Sequence, residues 1–158
     1  MFLIRKAERK DTPLVLEYIK KIARYEKMLD EVTATAEILE KSLFDQKSAV
    51  VLIGEVDGIP VGFALYYQNF STFVGKPGLY LEDIFVDKEM RGKGFGKKLF
   101  QAVAAEADRM GCERMEWSCL DWNQPSIDFY LSMGAVPMKG WTVYRLAGDK
   151  IGWAANKT

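Results

Sequence analysis

The sequence predicts a mixed α+β domain built on a largely antiparallel sheet, and three observations carry that expectation. Two β-rich runs, Ala49 to Val56 and Val61 to Gln68, flank Asp57-Gly58, a dipeptide that favours the tight turn of an antiparallel hairpin. The apolar, β-prone run Leu79-Tyr-Leu-Glu-Asp-Ile-Phe-Val86 leads through three glycines into a segment whose Leu99, Phe100, Val103, Ala107 and Met110 recur at helical spacing. A further β-rich run at 113–120 follows Gly111, and a strand–helix–strand unit of this kind makes a right-handed parallel crossover. No repeat, linker or low-complexity segment interrupts the 158 residues, so a single domain over 1–158 is expected.

The remaining elements follow in order. Residues 2–7 read as a first strand. Thr12-Pro13 supplies an N-cap with proline at the first helical position, and Leu14, Val15, Tyr18, Ile19 and Ile22 form the apolar stripe of a helix to about Tyr25. A second helix spans roughly 35–44, capped by Thr35, with Ile38, Leu39 and Leu43 inward. Residues 69–78 read as the loop before a strand at 79–87. A short helix begins near Asn123, with Pro125 and Ser126 in its first turn, and stops before Gly134; residues 141–147 read as a last strand.

Composition excludes several kinds of function. With 22 basic and 22 acidic residues there is no global field to attract nucleic acid or an anionic membrane, so neither partner is expected. The two cysteines, Cys112 and Cys119, make neither a zinc pair nor a Cys-x-x-Cys and read as buried free thiols. The absence of any histidine removes Ser-His-Asp and Cys-His nucleophilic catalysis and the usual zinc sites, so no metal is expected and proton transfer falls to carboxylates, Tyr, Lys, Cys or water. No leader or long apolar run is visible, which points to the cytoplasm.

Arg91-Gly-Lys-Gly-Phe-Gly-Lys-Lys98 places three glycines and four cations at the junction of a strand and a helix. Helix N-terminal N–H groups have no intrahelical partner and carry partial positive charge, and glycine lets phosphate oxygens approach them. Lys97 and Lys98 in a first turn oppose the macrodipole at about 0.3–1 kcal/mol each, a sign that a bound anion reverses. The spacing is neither Gly-x-x-x-x-Gly-Lys-Ser/Thr nor Gly-x-Gly-x-x-Gly; it is Arg-x-x-Gly-x-Gly.

At these residues the chain resembles the Gcn5-related acetyltransferases (GNAT superfamily). Tyr80-Leu-Glu-Asp-Ile-Phe-Val86 before the turn, Trp122-Asn-Gln-Pro-Ser-Ile-Asp-Phe-Tyr130 after it, Tyr25-Glu-Lys-Met28 and Gly62-Phe-Ala-Leu-Tyr-Tyr67 look like the diamine acetyltransferase branch, relatives of spermidine/spermine and thialysine acetyltransferases. The resemblance implies the GNAT fold, a mixed, mostly antiparallel twisted sheet with a splayed parallel strand pair and flanking helices. It implies acetyl-CoA as cofactor, a small cationic amine as acceptor and a homodimer. The coenzyme pyrophosphate would lie on Arg91, Gly92, Lys93, Gly94, Phe95, Gly96 and Lys97, and its pantetheine arm along the backbone of Ile84, Phe85 and Val86; Asn123, Ser126 and Tyr130 would be further coenzyme contacts.

Acetyl transfer to an amine needs a neutral nucleophile and an acid for the departing thiolate, yet a free alkylammonium has a pKa of about 10.4. Glu82 and Asp83 are adjacent carboxylates in an apolar strand, where alternation puts one on each face, unless one sits at a bulge or exposed edge. The resemblance puts both in the amine site, with Glu82 as a base acting through water and Tyr130 as the acid. Taken alone, Tyr130 reads as a core or rim tyrosine. The resemblance also makes Tyr25, Glu26, Glu116, Trp117 and Ser118 substrate contacts, although Glu26 alone reads as a surface glutamate. The pattern departs from the polyamine-acetylating members at Lys139, which stands before Gly140-Trp141 where they carry a glutamate, so a lysine-like amine is at least as fitting as a long polyamine. A binding module that senses acyl-CoA and a protein-lysine acetyltransferase are the alternatives.

Overall fold

Asp57 and Gly58 both hold positive φ, 50° and 82°, which is the backbone that a two-residue antiparallel hairpin demands and that Asp-Gly supplies at small cost. In the computed structural model, which describes residues 1–158, this turn joins β2 (Val50–Val56) to β3 (Ile59–Ser71). With β1 (Phe2–Lys6), β4 (Lys76–Val86) and β5 (Met115–Glu116) they form one sheet in the order β1-β2-β3-β4-β5. The first four strands are antiparallel and β5 runs parallel to β4, as the strand–helix–strand reading expects.

The sheet belongs to the first of two compact units, Met1–Leu120 and Asp121–Thr158. Helix α1 (Thr12–Tyr25) covers one face, where Val15 and Tyr18 pack against Val51, Ile53, Phe63 and Leu65. Helix α3 (Phe95–Arg109) buries Leu99, Phe100, Val103 and Ala107; Leu99 reaches the sheet at Gly54 and Gly62, positions of the opposite parity and therefore the opposite face. Burying such side chains at roughly 1.5–3 kcal/mol each holds both helices to the sheet.

Several boundaries move. Asp11, not Thr12, occupies the cap of α1, because residues Arg9–Asp11 form a 3-10 turn and the Thr12 hydroxyl donates to the Arg9 carbonyl at 2.7 Å. The second helix is a short α2 (Ala36–Glu40) continued by a π turn at Lys41–Asp45; Thr35 Oγ1 accepts from the Ile38 N–H at 3.2 Å as expected, but Ile38 is 55% exposed. Leu43 is buried and Leu39 packs against the core as expected, and Phe44 of the wide π turn joins them. The loop expected at 69–78 shrinks to four residues, since β3 and β4 stay paired out to Ser71 and Lys76. Conversely, the strand expected at 113–120 pairs only at Met115 and Glu116. Both cysteines are half-buried rather than buried.

In the second unit, α4 (Gln124–Ser132) starts with Pro125 in its first turn and ends before Gly134, whose φ is 92°. Residues 141–147 form no strand: β-prone alternation needs a hydrogen-bonded partner, and the segment has none, leaving Trp141, Val143 and Tyr144 more than three-quarters exposed. An unexpected helix, α5 (Asp149–Asn156), follows. No helix is long and apolar enough to cross a membrane.

Candidate active site

Leu81 pairs with Tyr66 and Asp83 with Leu65, so Glu82 is the extra residue of a β-bulge in β4. That replaces one carboxylate on each face with the alternative reading, one of the pair at a bulge, since a bulge interrupts alternation and re-aims neighbouring side chains. Glu82 is exposed and Asp83 half-buried. Burial, reinforced by the charges of Glu82 and Glu26, pushes the Asp83 carboxyl up to about 7. Glu26, the residue that ends α1, is likewise raised by burial and by Glu82. Three acids from two elements therefore share one field, which an ammonium group would relieve.

The same bulge shapes the neighbouring gap. The parallel ladder ends with Tyr80 opposite Glu116, two residues before Glu82, and a bulge bends and twists its strand. Beyond the ladder the Tyr80 hydroxyl still reaches the Ser118 hydroxyl at 2.8 Å. The Tyr67 ring packs against that of Tyr80 at a 30° tilt with ring centres 5.2 Å apart, and burial, together with the Glu82 charge, raises the Tyr67 phenol above the usual range. Trp117, expected at the acceptor, packs edge-on against Phe100 of α3 at 5.3 Å, and Tyr25 lies at the last turn of α1. In the sequence Tyr67 and Tyr80 stand only as members of the matched segments, with no role of their own; their opposition across β3 and β4 becomes visible only with the register.

At the other end of β4 the chain makes a 3-10 turn, Lys88–Met90, and then the glycine turn. Gly92 and Gly94 have φ of 78° and 83°, Gly94 caps α3, and no atom approaches within 4 Å of where a Cβ would stand on either. Lys98 makes the first i→i−4 bond, to the Gly94 carbonyl, so the N–H groups of Phe95, Gly96 and Lys97 lie upstream of the ladder. Lys93 and Lys97 are exposed beside them, and no acid occupies the first turn. An open glycine face, oriented donors and cations fit a pyrophosphate. The Arg91 guanidinium is turned back toward the strand: Nε donates to the Val86 carbonyl at 2.8 Å, and the group lies 4.9 Å from the Phe85 ring centre and 5.4 Å from that of Tyr25. Ile84 and Phe85 are half-buried along the β4 edge.

The second unit carries Asn123, Ser126 and Tyr130. Asn123 stands at the N-cap of α4, where its side chain makes no capping bond and its main-chain carbonyl accepts from the Ile127 N–H. Tyr130 is half-buried on α4, its ring edge-on to Phe129 at 5.6 Å.

The signature of the acetyltransferase (GNAT) family matches residues 15–135. The thialysine N-epsilon-acetyltransferase of Sus scrofa is 35% identical over 98% of both chains. The L-ornithine N5-acetyltransferase of Arabidopsis thaliana is 45% identical over 60% of this chain and 42% of its own length. Among solved structures, an integron cassette protein from the mobile metagenome of V. cholerae superposes with a TM-score of 0.78 at 25% identity, covering 98% of each chain. The chain therefore belongs to the acetyltransferase (GNAT) family, and it is an acyltransferase whose donor is acetyl-CoA.

Proposed function

We propose that the chain moves an acetyl group directly from acetyl-CoA to a primary amine of a small cationic substrate, a diamine, polyamine or lysine-like amine. The observation that carries this reading is the gathering of Glu26, Glu82 and Asp83 at the bulge of β4. The relatives named for thialysine and L-ornithine support the same substrate class, and as enzymes they leave the binding-module alternative without support. The family match crosses from the first unit into the second, which favours reading 1–158 as one acetyltransferase domain.

Acetyl-CoA supplies an acetyl group already activated as a thioester. The chain's N–H groups from Gly92 to Lys97 would hold the pyrophosphate, with Arg91 and Lys93 adding charge, and the edge of β4 at Ile84 to Val86, where the Val86 carbonyl already accepts from Arg91, would take the pantetheine arm as an added strand. Tyr25, Glu26, Asp83 and the Glu116–Ser118 segment hold the amine. Glu82, exposed at the bulge, removes its proton through water, and the Tyr130 hydroxyl gives a proton to the departing sulfur. Asn123 and Ser126 add polar contacts to the coenzyme. We further read the protein as a cytoplasmic homodimer, and Lys139 as a charge that disfavours a second ammonium, by about 1 kcal/mol at 4 Å in water and more where buried.

The test is a screen of amines against the purified chain with acetyl-CoA, reading thiol release. Lysine-like amines and short diamines should lead and outcompete spermine, and Lys139→Glu should shift kcat/KM toward spermine. Thiol release that no amine accelerates would overturn the acceptor class, and spermine preferred equally by both proteins would overturn the role of Lys139.

A further inference from the structure

Asp87 stands where β4 gives way to the glycine turn, and its main chain is tied on both sides. Its N–H donates to the Val61 carbonyl of β3 at 2.9 Å, and its carbonyl accepts from the Met90 N–H at 2.9 Å, opening the Lys88–Met90 turn. Its carboxylate is held by two donors from α1: the Tyr18 hydroxyl reaches Oδ2 at 3.0 Å and the Lys21 ammonium reaches Oδ1 at 2.8 Å. Tyr18 is 1% exposed and stacked on Phe63 at 5.2 Å, so it is a fixed post. Lys21 lies 4.8 Å from the Tyr18 ring centre and also pairs with Glu17 at 3.6 Å.

A carboxylate at the root of an anion-binding turn is electrostatically perverse unless something cancels it. Lys21, 2.8 Å from it, offsets much of that charge although it is shared with Glu17, and so limits the loss of field at Lys93, Lys97 and Lys98. The turn itself contains two glycines at positive φ and would lose conformational freedom on gripping a ligand, a cost that anchoring beforehand reduces. On the helix side the turn is anchored by the buried Leu99 and Phe100; on the strand side it is anchored by Asp87 together with the bond from Arg91 Nε to the Val86 carbonyl.

We propose that Asp87, clamped by Tyr18 and Lys21, is a positioning residue that pre-forms the turn for the coenzyme pyrophosphate. This rests on the reading that Gly92 to Lys97 hold that group. The experiment is calorimetric titration of coenzyme A into folded variants, with thermal melts beside it. Asp87→Asn and Lys21→Gln should each weaken coenzyme A about tenfold, and Lys21→Arg should recover most of the affinity because it restores cation and donor. The control is Asp11→Asn, which breaks a similar anchor, the paired bonds from Arg5 at 2.8 and 2.9 Å, and should lower Tm while leaving coenzyme A affinity within about twofold. Asp87→Asn and Lys21→Gln binding as tightly as the unaltered protein, or Asp11→Asn weakening binding equally, overturns the proposal. Gly94→Val separates the two readings: if it too leaves coenzyme A affinity unchanged, the turn is not the coenzyme site; if it alone weakens binding, the site stands and the anchor fails.

Discussion

Asp83 carries a proton at the pH where its unfolded counterpart does not, and that asymmetry is measurable. Its folded pKa of about 7 lies above the ordinary carboxylate value of about 4, because burial and the charges of Glu82 and Glu26 penalise the ionised form. Between those values the folded state binds a proton that the unfolded chain has released. Its contribution to stability is therefore fully present at low pH and falls as pH rises through 4 to 7. Asp83→Asn should raise Tm by roughly 3 °C or more at pH 8, and the difference should shrink as pH falls and close only below about pH 4, the unfolded value. Asp11 does not blur this scan, since its bonds from Arg5 hold its carboxyl below the usual range and its loss of stability comes at lower pH. A Tm difference between the two proteins that is the same at about pH 4 and at pH 8 would mean that Asp83 is not desolvated. The acid assigned to Tyr130 gives a second test: Tyr130→Phe should cut kcat by about a hundredfold or more with little change in coenzyme A affinity. A variant that keeps most of its turnover while chemistry limits the rate would make Tyr130 a packing residue.

Within α3, Gly96 differs from Gly92 and Gly94 in a way that isolates ligand approach from backbone strain. It has ordinary helical backbone, and a Cβ there would meet Val86 Cγ2 at 3.7 Å, an unstrained contact. Gly96→Ala should therefore fold well, gaining up to about 0.5–1 kcal/mol from helix propensity, yet weaken coenzyme A by about tenfold if phosphate oxygens approach that surface. Stability and affinity unchanged together would argue that the ligand keeps its distance from the first turn. The glycine turn, the hairpin at Asp57-Gly58 and the stripes of α1 and α3 were legible because each is encoded locally, in turn residues or periodicity. The bulge was legible only as an alternative for one of Glu82 and Asp83, without saying which, since it is a property of the register between β3 and β4 rather than of either run. The same reason explains the overlong strand at 113–120 and the missing one at 141–147, where side-chain alternation was present but the pairing partner was not. Glu26 was legible only by resemblance; its approach to Glu82 depends on where α1 ends over the sheet, a distance that no local pattern contains.

At the scale of the molecule, 22 positive and 22 negative residues cancel, so any steering of substrates comes from how charge is distributed. The chain separates the signs locally. Arg91, Lys93, Lys97 and Lys98 cluster after β4, whereas Glu26, Glu82 and Asp83 gather at its bulge. On the proposed assignment of the two sites, each reactant meets a field of the opposite sign although the whole protein is neutral. Fields of this kind act over a Debye length of about 10 Å at 0.1 M salt and about 3 Å at 1 M. Raising salt from 0.05 to 0.5 M should therefore raise KM for acetyl-CoA and KM for a cationic amine, each severalfold, while kcat changes little. The two slopes should be separable: Lys93→Gln with Lys97→Gln flattens only the acetyl-CoA dependence, and Glu26→Gln only the amine dependence. KM values indifferent to salt would show that shape rather than charge recruits both substrates. A slope for the amine that responds to the lysine changes would show that the two fields are not separate, and that one reactant screens or recruits the other.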